Sequence, residues 1–408
     1  MTILEIQSFV RSQMMSVTRG SFADQRPHRV ALVTDWFAPR IGGIEVQLAG
    51  LARALQSRGV QVQVLTTTPG ADIAGEIPVQ RIPTLLLPRV DLAVSPGLIG
   101  KFRTVLVAGG FDLVHAHVSV VTPAAYAAVL AAHELGLPTV VTFHSVLRGS
   151  VYVLRAADQL CRWSRWPLIV SAVSGRVAQN LRDAVAGLAV EILPNGIDPS
   201  QWRRSAAVQR QSTDKIVTVT AMRLHGRKRP MALLRAFRIA RELSSTGNRR
   251  LMLYVAGDGS ERARLEHYVN RHGLGRDVVF LGALSRQALT SLYQDTDLFA
   301  IASIRESFGI AVLEARCAGL PVVALKASGA AELLRNGETA LLADNDADFA
   351  DCWARLALDD ALRRNLSEPD AAVERFAWPT VAQSHIEVYS RAMELVRSSR
   401  VALNSRTA

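Results

Sequence analysis

The stretch Arg29–Thr67, RVALVTDWFAPRIGGIEVQLAGLARALQSRGVQVQVLTT, decides the fold. It opens on an apolar run, VALVTDW, turns through a glycine loop, APRIGG, runs on as IEVQLAGLARALQSRG with helical spacing of its apolar residues, and ends in VQVQVLTT. Strand, helix and strand in that order make a βαβ unit, whose two strands must lie parallel. The alternation continues through FDLVHAH, a helix after Pro123, PTVVTFH, an Arg- and Trp-bearing helical stretch, PLIVSAVS, a further helix and VEILPNGID. This is one doubly wound domain, expected over residues 29–201, with a loose N-terminus over 1–28.

A polar segment, QWRRSAAVQRQSTDK, separates it from a second series, beginning KIVTVTAMR, MALLRAFRIARELS and RLMLYVAGD and continuing through DLFAIAS, LPVVALKA and TALLAD. The boundary is placed near Trp202 and the second domain over 202–378. A final helix, Val381 to about Val396 within 379–408, has no strand after it and is expected to cross back to the first domain. The class is therefore α/β, with two doubly wound domains facing a cleft, the place where such sheets bind ligands.

Composition narrows the field. The 408 residues are 49% hydrophobic and 20% charged with mean hydropathy +0.16, which excludes a disordered chain and a disulfide-stapled miniprotein. Cys161, Cys317 and Cys352 are odd in number and far apart, a pattern of scattered thiols in a reducing compartment. The net charge of +11 admits nucleic acid, an anionic membrane or a phosphorylated ligand. With 6% aromatic residues and no interleaved basic and aromatic module, nucleic acid is set aside. Leu113–His133 lacks Asp, Glu, Lys and Arg but contains three histidines and Pro123, and parses as strand, loop and Ala-rich helix, not a membrane span. With no secretory leader pattern either, the protein is expected to be cytoplasmic.

The most informative motif is Glu306-Ser307-Phe308-Gly309-Ile310-Ala311-Val312-Leu313-Glu314, at the passage from strand DLFAIAS into a helix. At 1.5 Å per residue the two carboxylates stand about 12 Å apart, close to the span of a nucleotide sugar from its sugar hydroxyls to its ribose. The amides of Ser307, Phe308, Gly309 and Ile310 then offer the helix N-terminus to the phosphates between. Arg223 and Lys228, in the loop after KIVTVTA, can neutralise a diphosphate without a metal, while Arg227 and Arg229 alternate with them and are expected to face solvent. In the first domain, Gly42 and Gly43 allow backbone close to phosphate. His115 and His117 end FDLVHAH and His144 ends the next strand, either pointing into the cleft or satisfied locally. Asn195 is a donor-side candidate that, like Asp198, also suits a turn. Neither G-x-G-x-x-G, P-loop, H-E-x-x-H nor G-x-S-x-G occurs, and the DxD-like Asp295–Asp297 and Asp344–Asp346 sit wrongly for a metal.

Taken together these residues resemble the retaining glycosyltransferases of family 4, the glycosyl transferases of group 1 with the two-domain GT-B architecture. The resemblance covers about residues 29–395. It rests on GGIE (Gly42–Glu45), PNGID (Pro194–Asp198), RLHGRK (Arg223–Lys228), AGDG (Ala256–Gly259), ESFGIAVLE (Glu306–Glu314) and CAGLPVVA (Cys317–Ala324). DWFAPRIGGIE, VTFHS and VSAVS are similar to the GlcNAc transferase that starts GPI-anchor synthesis and, more loosely, to bacterial inositol-directed enzymes.

The resemblance implies that Glu306 contacts donor sugar hydroxyls, Glu314 the ribose, Arg223 and Lys228 the diphosphate, and His117 the sugar near its reacting carbon. It implies no cofactor and no metal, the nucleotide-diphosphate sugar being substrate. The expected reaction moves a hexose of GlcNAc, glucose or mannose type, UDP-linked in the first instance, to a hydroxyl of a lipid-linked, inositol (polyol) or glycan acceptor. Ser307 and Arg229 stand where the family commonly has glycine. The apolar and basic stretch Arg81–Arg103, with Arg155, Arg162, Trp163, Arg165 and Trp166, suits an acceptor loop and an anionic membrane surface on the inner face. The alternatives are a donor-binding subunit or degenerate transferase needing a partner, a sugar epimerase, and a nucleic-acid binding protein.

Overall fold

The computed structural model describes residues 26–407 except 41, 71–75, 88–91, 94, 120, 146–149, 204–213 and 368–370. The N-terminus 1–25, Arg89 of the acceptor-loop stretch and most of the polar inter-domain segment therefore lie outside the described residues.

The first domain contains strands β1 (Arg29–Thr34), β2 (Gln61–Thr66), β3 (Val79–Arg81), the small antiparallel pair β4 (Leu86–Leu87) and β5 (Leu92–Ala93), then β6 (Leu113–Val118), β7 (Thr139–Phe143), β8 (Leu168–Ala172) and β9 (Glu191–Ile192). Its helices are α1 (Gly43–Gln56), α2 (Leu98–Gly109), α3 (Pro123–Leu135), α4 (Ser150–Cys161) and α5 (Gly175–Ala184). The main sheet is wholly parallel in the order β3-β2-β1-β6-β7-β8-β9. Because helices cover both faces, β1 and β6 are buried almost end to end, which is why the sequence shows continuous apolar runs there instead of alternation.

The second domain contains β10 (Lys215–Ala221), β11 (Arg250–Ala256), β12 (Val278–Gly282), β13 (Leu298–Ile301), β14 (Val322–Leu325) and β15 (Ala340–Ala343). These form a parallel sheet in the order β12-β11-β10-β13-β14-β15, flanked by α6 (Pro230–Leu243), α7 (Arg262–Arg271), α8 (Arg286–Gln294), α9 (Ile310–Cys317), α10 (Asp346–Leu358) and α11 (Asp360–Leu366). Strand order reverses between β1 and β6 in one sheet and between β10 and β13 in the other, and crevices open beyond strand ends at such switch points.

The uncharged stretch from Leu113 is β6 plus α3, whose small residues Ala124, Ala128 and Ala131 pack flush in the core. Pro123 starts α3 and Gly136, at φ +65°, ends it. Among the described residues no helix is long and apolar enough to cross a membrane.

The last helix, α12 (Trp378–Thr407), is longer than its apolar spacing predicts. It lies along α1, β7 and β8, so the C-terminal helix does cross back, burying Ala382, Ile386, Tyr389 and Ala392 in the first domain's core. The crossing is pinned where Ile197 N donates to Phe376 O and Trp378 N donates to Ile197 O, at 2.8 and 3.1 Å. Trp378 covers Gly196 so closely that a Cβ there would stand 2.3 Å from its ring, which accounts for the glycine of PNGID.

Candidate functional site

The second-domain candidates gather at the β10/β13 switch point. Lys228 ends a 3-10 turn (Gly226–Lys228) after β10, and its Nζ donates to Glu306 Oε2 at 2.6 Å from across the switch. The loop is braced from below by AGDG: a Cβ on Gly257 or Gly259 would stand 1.8 Å from Met222 O or 2.6 Å from Leu224 O. Those glycines thus shape the Arg223 loop. Arg229 has φ +55°, in the left-handed region where glycine is at ease, and this explains why its family counterpart is commonly glycine. Its expected solvent-facing role is corrected: the guanidinium is half-buried, donating to Asp346 Oδ2 at 2.6 Å and to Ala302 O at 3.3 Å. Arg227 is exposed, as expected.

Glu306 and Ser307 precede α9, which starts later than Phe308 because Gly309 turns the chain at φ +98°. Phe308 is buried and meets Phe376 edge to face, anchoring the loop. Gly329 N donates to Glu306 O at 3.1 Å, fixing the loop's backbone on the turn Gly329–Leu333. Glu314 sits one turn along α9, in a nearly closed environment. Burial pushes its carboxyl up to about 7, with only Arg286, 3.8 Å away, pulling the other way. Arg286, which also lies over the Trp202 ring, carries no signal in the sequence because α8 precedes α9 by a whole strand.

On the first-domain side, His117 lies near the end of β6 beside Thr34 of β1, at the other switch point. His117 Nδ1 lies 2.9 Å from His144 Nε2, so one imidazole donates to the other, and His117 Nε2 is buried without a hydrogen-bond partner. His115 does not reach the cleft. It is fully buried between Tyr389 Oη at 2.8 Å and Thr142 Oγ1 at 2.6 Å, the satisfied alternative. Burial holds all three well below the ordinary histidine range, to about 4 for His144, with neighbouring imidazoles adding to the effect. His385 of α12 packs against His115 and is likewise depressed to about 4. Asn195 is buried beside Gln47, whose side chain accepts from Gly196 N at 2.8 Å. Asp198 caps the turn Pro199–Gln201, the turn-forming alternative.

Gly42 and Gly43 carry an arrangement that the sequence left hidden. The carboxylate of Glu45 folds back over α1's N-terminus, where a Cβ on Gly42 would meet its Oε2 at 2.3 Å. Glu45 is buried and its carboxyl raised, chiefly by desolvation, against the pull of its own backbone N–H, Arg40 and Arg223. A carboxylate of the first domain thus occupies the glycine loop at the N-terminus of α1, near enough to Arg223 of the second domain to feel its charge. The domains touch here, a Cβ on Gly43 being 3.8 Å from Ile310 Cδ1. Among the described residues no group of three or more His, Cys, Asp or Glu side chains could hold a metal ion.

Comparisons with known proteins agree across both domains. The family model "Glycosyl transferases group 1" matches residues 203–371 and "Glycosyltransferase Family 4" matches residues 41–201. A D-inositol 3-phosphate glycosyltransferase of Paenarthrobacter aurescens is 26% identical over 391 residues, covering 86% of this chain and 93% of its own. From Arabidopsis thaliana, a phosphatidylinositol N-acetylglucosaminyltransferase component is 27% identical, covering 90% and 82%. Among solved structures, Anabaena HepE in complex with UDP and glucose superposes with a TM-score of 0.69 at 24% identity, covering 88% of this chain and 99% of its own, a likeness of fold.

Proposed function

The chain belongs, through both of its domains, to the family 4 (group 1) glycosyltransferases of GT-B fold, enzymes that use nucleotide sugars, and on that premise we propose a retaining, metal-independent hexosyltransferase. The observation that carries this reading is the Lys228–Glu306 pair at the mouth of α9, with Glu314 one turn into that helix and Arg223 in the same loop as Lys228. The donor diphosphate takes Lys228 and Arg223 as counter-charges and the amides of Ser307–Ile310 as donors, releasing Glu306 to the sugar hydroxyls. Glu314 accepts from the ribose. As the bond to the diphosphate breaks, an oxocarbenium-like centre forms beneath His117. The acceptor hydroxyl attacks from the same face and yields its proton to the departing phosphate oxygen. The step proposed is this direct same-face displacement, without a covalent sugar intermediate, and a glycosyl-enzyme trapped on Glu306 would overturn it.

An inositol or lipid-linked polyol acceptor is the first choice, because the relatives above are named for inositol compounds, and a UDP-linked donor is tried first because HepE, of the same fold, holds UDP. The α4 surface favours an acceptor at a membrane's inner face: Tyr152, Val153 and Leu160 are 72%, 67% and 87% exposed, beside Arg162 and Arg165. Thermal-shift titration with UDP- and GDP-sugars, with and without EDTA and in Glu314→Ala, tests the donor site. One nucleotide should stabilise the wild type, EDTA should change nothing, and the variant should lose most of the shift. Anomeric analysis of the product by NMR tests retention. Co-sedimentation with anionic vesicles tests the surface. If no nucleotide stabilises the protein, the transferase proposal gives way to a subunit that needs a partner.

A further inference from the structure

Both domains meet at a contact that neither the donor chemistry nor the α12 crossing requires. The carboxylate of Glu332, in the second-domain turn Gly329–Leu333, sits on the N-terminus of the first domain's α5. It accepts from Gly175 N at 2.8 Å and from Arg176 N at 2.6 Å, one oxygen to each amide. Charge-assisted bonds to two amides at the positive end of a helix are among the stronger polar contacts available to a partly exposed carboxylate. Beside it, Ser174 Oγ donates to Ser307 O at 2.5 Å, so a second bond reaches the donor loop itself.

The mechanical connection from Glu332 to Glu306 is short and stiff. A Cβ on Gly329 would stand 2.1 Å from Glu306 O, and one on Gly309 would stand 2.6 Å from Ala330 Cβ, so turn and donor loop are packed backbone to backbone. Gly175 is less tightly held: a Cβ there would stand 3.2 Å from Glu332 Oε2 and push the carboxylate aside by a few tenths of an ångström. The turn and the Glu306–Gly309 loop therefore move as one body, and Glu332 ties that body to α5.

We infer that Glu332 is a positioning residue, a clasp that holds the donor loop of the second domain against the first and so fixes Glu306 relative to His117. The inference rests on the transferase reading for its kinetic consequence, and on geometry alone for its effect on domain closure. The groups assigned to the nucleotide and diphosphate, Arg223, Lys228 and Glu314, belong to the second domain together with Glu306, so most of the hold on the donor does not need the clasp. Transfer does, because His117 and the acceptor side lie across the cleft. The signature is a loss in kcat without a loss in donor affinity.

The test compares wild type, Glu332→Ala, Glu332→Gln and Gly175→Ala with the surface control Glu242→Ala. Nucleotide-sugar affinity is read by calorimetry, kcat by product formation, and domain closure by small-angle scattering. Glu332→Ala should keep donor affinity within about two-fold, lower kcat about ten-fold and enlarge the radius of gyration. Glu332→Gln, which keeps one carbonyl acceptor, should fall between it and wild type, and Gly175→Ala should resemble it. The control should match wild type throughout. Wild-type kcat and compactness in Glu332→Ala would overturn the clasp, as would an equal loss of donor affinity and kcat. Should wild type bind no nucleotide sugar, the transferase reading fails by itself, and the scattering comparison still decides whether Glu332 holds the domains together.

Discussion

Glu314 titrates near neutrality because little opposes its desolvation, and a group that must accept ribose hydroxyls works as the carboxylate. Affinity for a nucleotide sugar, whose diphosphate does not titrate in this range, should therefore rise as pH increases through about 7, and Glu314→Gln should flatten the profile. Calorimetry at pH 6, 7 and 8 would read this, and a flat wild-type profile would remove Glu314 from the ribose. Lys228 has a second job besides charge neutralisation, since it holds Glu306 in place before the donor arrives. Lys228→Met should lower kcat by about 10²–10³, the usual scale for deleting one preorganised donor to a developing anion. Because the pair acts as a unit, Lys228→Met and Glu306→Gln together should cost far less than the sum of their separate effects, as a double-mutant cycle would record.

The elements around the site hold it through backbone approach more than through side chains. Arg229 starts α6 in a left-handed conformation that costs an L-residue about 1–2 kcal/mol. Arg229→Gly relieves that strain while losing a partly exposed ion pair with Asp346 worth at most about 1 kcal/mol, so denaturant unfolding should show little net change. Arg229→Val keeps the strain and loses the pair, and should destabilise by about 2 kcal/mol or more. This level was well legible in the sequence where signals are local: the strand, glycine loop and helix of each βαβ unit; the distance from Glu306 to Glu314 was not, because the chain turns at Gly309 before α9 begins. It was poorly legible where one loop supports another. Nothing in Gly257 or Gly329 says in the sequence that Met222 O or Glu306 O will press against it.

Across the whole molecule, the hidden interactions join residues far apart in the chain: His115 with Tyr389, Gly175 with Glu332, Glu45 with Arg223. Local pattern carries no trace of such pairs, and they are also what sets the response to acid. His115, His117, His144 and His385 are buried neutral, whereas in the unfolded chain they protonate near 6.5. With folded values depressed, their contribution to stability is whole above 6.5 and drains as pH falls toward about 4. Asp35, raised to about 6, Glu314, raised to about 7, and Glu45, raised by burial, act with the opposite sign. Their contribution is whole below the unfolded carboxylate range and is lost as pH rises through the folded values. Between pH 5 and 6.5 the unfolded chain gains protons on four imidazoles while the native state holds extra protons on three carboxyls, one of them raised only modestly above its ordinary range. The imidazoles prevail, so Tm should fall by roughly 5 °C from pH 7 to pH 5. His385→Asn, which removes one buried imidazole beneath His115, should make that fall shallower, and a Tm that instead rises on acidification would assign control of stability to the buried carboxyls.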